Sequence, residues 1–147
     1  MTFAITGDTE ADRLLNTDGT ALLIGMLLDQ QVPMEWAFRG PKTLAERLGH
    51  LDATRIAAMS EDEVVEVCAA KPAIHRFPKA MGRRIHALCI HLAEQYGGEG
   101  AAIWSDDSDA ATLYRRISAL PGFGEEKSRI FRALLAKRFG IRPEGWE

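Results

Sequence analysis

The stretch Ser118-Ala119-Leu120-Pro121-Gly122-Phe123-Gly124-Glu125-Glu126-Lys127-Ser128 separates two segments of helical period and sets how the chain turns between them. Pro121 closes the first segment, because proline has no amide hydrogen to continue a helix and its ring clashes with the preceding turn. Gly122 and Gly124 flank one apolar residue, so backbone amides can crowd together with no Cβ in the way. The second helix opens directly afterwards, with its first N–H groups unpaired. Such a turn is a cradle for an anion. The amides around Gly122, Gly124 and Lys127 can donate to a phosphate, and Lys127, Arg129 and Arg132 bring positive charge to or near the same end. The competing interpretation is a plain helix–helix corner; the bases that follow the turn favour the cradle.

Outward from this turn, nearly every patterned segment has helical period, and the alternation expected of strands is missing. The expected class is all-α, a helical bundle in one domain spanning residues 1–147. Residues 1–17 form a loosely structured or short helical lead. A strong helix is expected over 18–31, where Ala21, Leu22, Leu23, Gly25, Met26, Leu27 and Leu28 are apolar nearly all round, as in a helix at the centre of a bundle. Val32-Pro33 bends or restarts it. A second helix near 33–39 then ends at Gly40-Pro41, with Pro41 opening a new one over Lys42–Leu48. Short helices follow at 53–58 and 61–70, the latter with Ser60 and Glu63 spaced as a capping box. A long helix over 79–96 carries the stripe Met81, Ile85, Leu88, Leu92, Tyr96 and ends at Gly97-Gly98. The helices flanking the turn are expected at 109–119 and 125–138, and the tail Ile141–Glu147 has no evident element.

The composition is that of an ordinary globular chain, with 46% hydrophobic and 27% charged residues among 147. Cys68 and Cys89 are too few for the four thiolates of an iron–sulfur cluster and fall within helical patterns, so both are expected to be buried thiols in a reducing compartment. No run approaches the length of a membrane span, and the acidic N-terminus lacks a signal-peptide layout; the expected location is the cytoplasm. The net charge of −3 conceals an asymmetry, −7 over residues 1–70 and +4 over 71–147. A polyanion would therefore meet the second half. Lys71–His91 holds five bases and no acid, and Arg76, Lys79, Arg83 and Arg84 are candidate contacts by charge. His86 and His91 are not spaced as a metal pair on one helical face, and no zinc is expected. Trp36, Trp104 and Trp146 are dispersed and are expected to pack in the core.

Leu120–Gly124, with helical patterns on both sides, resembles the hairpin of helix-hairpin-helix proteins that grip a DNA backbone, and matches the LPGxG of the HhH-GPD superfamily of base excision DNA repair glycosylases. A second likeness is Leu27-Leu28-Asp29-Gln30-Gln31, similar to that family's Leu-x-x-Gln region at the end of an early buried helix; a third, weaker one covers 76–98. The resemblance implies a protein that binds duplex DNA containing a damaged or mispaired base and hydrolyses an N-glycosidic bond after the base is flipped out. It implies DNA contacts at Leu120, Pro121, Gly122, Phe123, Gly124, Lys127, Ser128 and Arg129, and a stack-filling role for Gln31, ahead of Gln30. It also implies a monovalent cation, K⁺ or Na⁺, on the backbone carbonyls of Ser118, Leu120 and Phe123. No other cofactor is expected.

The likeness is incomplete at the chemistry. Bifunctional members carry a nucleophilic lysine two places after the second hairpin glycine, where this chain has Glu126, and Lys127 is rotated about 100° further round the helix. A monofunctional, water-using reaction is therefore expected. The family's aspartate has no counterpart, since no aspartate follows Asp109; spacing brings Glu144 or Glu147 to its place. Glu126, Glu144 and Glu147 are thus the candidate catalytic carboxylates. Two explanations stay open: a fragment of a longer glycosylase whose aspartate lies beyond Glu147, or a domain that binds without cleaving. The alternative function is a non-catalytic DNA-binding or scaffold module, favoured by Glu125 and Glu126 beside the phosphate site and by the net acidity.

Overall fold

The computed structural model describes residues 3–147, and among these there is no strand. The elements run α1 (Thr9–Thr17), α2 (Gly19–Leu28), α3 (Met34–Leu48), α4 (Ala53–Ala58), α5 (Glu61–Ala69), α6 (Pro78–Tyr96), a 3₁₀ turn (Gly100–Ile103), α7 (Ala110–Ser118) and α8 (Glu125–Phe139). None of these helices is long and apolar enough to cross a membrane.

The bundle is organised round α2. Every residue from Thr20 to Leu28 is buried, which is what an all-round apolar helix requires. It packs against α1, α3, α6 and the 3₁₀ turn, while α5 and α4 lie on α6 and α7 pairs with α8. One connected cluster of buried side chains runs through these elements, from Phe3 and Leu15 to Phe131 and Leu135. Cys68 and Cys89 are free thiols inside it, and burial pushes them up to about 11 and about 12.

Local signals place most boundaries. Asp18 caps α2 through the Ala21 N–H at 3.1 Å, and Ser60 and Glu63 form the reciprocal capping box of α5. Of the two forms expected for the lead of the chain, it takes the short helix. Asp8 caps α1 by accepting from Glu10 and Ala11, and the Lys42 ammonium reaches the same carboxylate at 2.7 Å.

Three local expectations fail for tertiary reasons. α2 stops at Leu28 rather than 31, because distant side chains take over its terminal carbonyls. α3 runs unbroken through Gly40-Pro41, although Pro41 forfeits a helical hydrogen bond. Ala37, Phe38, Gly40, Pro41 and Leu44 are its buried face, and that packing outweighs the break. Trp146 lies at the surface, 38% exposed, with the Arg142 guanidinium 5.5 Å from its ring centre, whereas Trp104 packs edge-on against Phe131.

The tightest backbone approach joins α2 to the 3₁₀ turn. A Cβ on Gly100 would lie 2.6 Å from the Thr20 nitrogen, and the Thr20 hydroxyl accepts from the Gly100 N–H at 3.1 Å. Replacing Gly100 by Ala forces two backbones apart and should cost about 1–3 kcal/mol of stability, read as a lowered urea midpoint with an unchanged slope.

Candidate nucleic-acid interface

The segment between α7 and α8 is a compact hairpin. Phe123 N–H returns to Leu120 O at 3.0 Å, and Gly122 takes φ +84°, a conformation that suits glycine. Leu120 and Phe123 turn their side chains into the core, Phe123 meeting Phe131 edge to face at 6.0 Å. Both are buried, whereas Gly122 and Gly124 are exposed. A Cβ on Gly122 would fall 2.5 Å from Leu27 Cδ1, so the hairpin is seated directly on the end of α2.

α8 opens at Gly124 with no side-chain cap. The first of its amides with an intrachain partner is that of Ser128, bonded to Gly124 O at 2.9 Å. Among the described residues, the N–H groups of Glu125, Glu126 and Lys127 therefore have no partner, at the positive end of a 15-residue helix. The carboxylates of Glu125 and Glu126 share that turn and oppose an incoming anion, although Glu125 is drawn toward Arg129, 3.7 Å away.

Two residues expected to face a phosphate do not. The Lys127 side chain turns inward and donates to Met26 O at 2.7 Å and Asp29 O at 3.1 Å, capping the C-terminal carbonyls of α2. Burial lowers its pKa, nearby Asp29 partly restores it, and Arg84 lowers it further. Ser128 is wholly buried, its hydroxyl without a partner among the described residues. Both sit on the core-facing side of α8, with Phe131 and Leu135 one and two turns on. Arg129 remains exposed in the second turn.

At the end of α2 the two glutamines part. Gln30 is engaged at both ends, its Nε2 donating to Leu27 O at 2.8 Å and its Oε1 accepting from Arg84 at 2.7 Å. Gln31 is exposed and held at φ 60°, rare for a residue with a Cβ. His75 supplies the clamp, and sequence reasoning gave it no role. It is 1% exposed; its Nε2 faces Leu28 O at 3.1 Å and Gln30 O at 3.0 Å, and its Nδ1 accepts from the Phe77 N–H. That pattern uses the neutral ring fully, with Nε2 carrying the proton. A histidine in an irregular loop has no periodicity that would have revealed this. The exposed bases Arg76, Lys79, Arg83 and Arg84 follow it onto the first turns of α6.

The candidate carboxylates scatter. Glu126 is exposed in the first turn of α8. Glu144 binds the start of α7 through its carbonyl, which accepts from Ala110 N–H at 2.8 Å, so the length of α7, about 13 Å for nine residues, separates it from the hairpin. Glu147 is exposed in the tail and pairs with no cation among the described residues. The structure therefore holds Glu144 away from the hairpin.

Two helices joined by a six-residue turn, Ala119–Gly124, whose glycines are exposed make a helix-hairpin-helix. The family model of the HhH-GPD superfamily base excision DNA repair proteins matches residues 24–138, and the chain belongs to that superfamily. Among solved structures it is similar to a trapped endonuclease III–DNA covalent intermediate (TM-score 0.59, 18% identity, 90% of this chain and 57% of that one). It is also similar to a thermostable thymine-DNA glycosylase (TM-score 0.57, 15% identity, 84% of this chain and 48% of that one). The chain thus spans about half the length of these structures, and at such identities the likeness is one of fold. A search of curated proteins finds no match.

Two outcomes follow from these contacts. Lys127→Met strips a charged donor from two carbonyls and should destabilise the fold by about 1–3 kcal/mol, measured by urea unfolding. Burial, the largest influence on His75, lowers its pKa below the ordinary 6.5; Arg76 and Arg84 push the same way, and the carbonyls of Gln30 and Leu28 push back. Its contribution is therefore complete above the unfolded value and lost as pH falls through the folded one, because the unfolded chain takes up the proton first. Wild type should lose more unfolding free energy between about pH 7.5 and pH 5.5 than His75→Gln, in paired denaturation curves.

Proposed function

We propose that this chain binds duplex DNA by its hairpin and excises a damaged or mispaired base by hydrolysing the N-glycosidic bond. The observation that carries this is the pair of exposed glycines, Gly122 and Gly124, leading into the uncapped amides of α8, on a hairpin seated on the end of α2 next to exposed Gln31. A phosphate accepts from those amides, as at other helix N-termini. Gln31, already held in a strained conformation and free of intrachain hydrogen bonds among the described residues, reaches the stack that a flipped base vacates. The bases on α6 meet neighbouring phosphates. Hydrolysis by water, rather than attack by an amine, agrees with Lys127 being committed to the α2 carbonyls.

A monovalent cation, K⁺ or Na⁺, suits the carbonyls of Ser118, Leu120 and Phe123. Those of Ser118 and Phe123 receive no backbone hydrogen bond among the described residues, and that of Leu120 accepts one and keeps a lone pair. A bound ion would add positive charge facing the phosphate.

The second reading is a DNA-binding module without turnover. Glu125 and Glu126 at the cradle favour it, because they weaken the anchor.

Gly124→Ala separates anchor from fold. A Cβ there meets nothing within 4 Å and the residue sits at φ −78°, so the protein tolerates the methyl group. A phosphate pressed against that backbone does not. Thermal denaturation should show an unchanged melting temperature, and anisotropy titrations a DNA affinity reduced on the order of tenfold. Wild-type affinity should fall with added salt. Base release is followed in the same samples on duplexes carrying uracil, hypoxanthine, an alkylated purine or an oxidised guanine; binding without release of any would favour the module.

A further inference from the structure

We infer that Asp29 is a carboxylate that serves the reacting sugar, an assignment that rests on the proposed glycosylase reading. Asp29 closes α2 and lies half-buried between Leu28, which is fully buried, and Gln30. The polar groups around it are matched: the carbonyls of Met26, Leu27, Leu28, Asp29 and Gln30 all receive side-chain donors, from Lys127, Gln30 and His75. The Asp29 carboxylate alone in this cluster accepts no hydrogen bond from the described residues. Its backbone is pinned while its functional end stays uncommitted, as a reacting group needs.

The hairpin fixes what it can reach. Gly122 rests on Leu27, two residues before Asp29, and Lys127, three residues after Gly124, touches the Asp29 carbonyl. A phosphate on the free amides of Gly124–Lys127 would bring the sugar of the same stretch of strand toward Asp29. Three other acids are placed elsewhere: Glu125 leans on Arg129, Glu126 is exposed in the first turn of α8, and Glu144 belongs to the far end of α7. Burial raises the Asp29 carboxyl above its ordinary range and the Lys127 ammonium draws it back, an environment that suits a base.

The step balances with water as the co-reactant. The C1′–N bond breaks with its electron pair leaving on the base, and positive charge grows on the sugar beside the carboxylate. The water oxygen bonds to C1′, its proton passes to Asp29 and then to solvent, and the departing base takes up one proton. The products are an abasic sugar and the free base.

Binding tests this without requiring that the damaged base be known. Two duplexes are compared, one with a neutral tetrahydrofuran abasic site and one with a cationic pyrrolidine in its place. Wild type should prefer the cation by about tenfold or more, as expected for a mimic of the charged transition state. Asp29→Asn, which keeps the carbonyl that Lys127 holds, should bring that preference close to unity while binding the tetrahydrofuran duplex within about twofold of wild type. Preference retained in Asp29→Asn, or absent from wild type while both duplexes bind, overturns the assignment and leaves the DNA reading standing. Failure of wild type to bind either duplex overturns both.

Discussion

The C-terminal carbonyls of α2 are the constraint on which the rest depends. A helix buried on every side cannot end in water, so its last acceptors must be met by protein. Here they are met by Lys127 from α8, His75 from the loop before α6, and Gln30, which Arg84 steadies in turn. Donors from two segments far away in sequence join a local one on a single helix end, and that end carries Asp29, Gln30 and Gln31.

The same convergence divides labour between neighbours. Gln30 and Gln31 are identical side chains in adjacent positions, yet one is spent on structure and the other left exposed, because the chain turns away from the helix in a left-handed conformation at Gln31 itself. Lys127 and the hairpin amides divide likewise: the side chain secures the seat and the backbone is left for a ligand. An ammonium so placed gives up its part in holding phosphate, which puts more weight on Arg129 and on the bases of α6.

Much of the fold was legible in the sequence. The all-round apolar pattern of α2 marked it as central, the Ser60–Glu63 spacing gave a capping box, and the stripe of α6 gave its length within a residue. These are signals of nearest neighbours or of a single helix face. Errors arose where packing overrode them: Pro41 was read as a break and lies inside α3, because Phe38 and Leu44 bury the same face.

What the sequence by itself determined is the hairpin, since Pro121, Gly122 and Gly124 dictate a turn through their own backbone preferences, and with it the family. What only tertiary structure decided is which side chains serve it. Lys127 and Met26 are 101 residues apart, and His75 and Gln30 are 45. No local pattern records such pairs; they form because buried carbonyls must find donors wherever the fold brings them. Ser128 and Glu144 were misplaced for the same reason. Their spacing along the chain was known, but which face of α8 turned inward, and which end of α7 the tail would join, depended on the packing of the whole bundle.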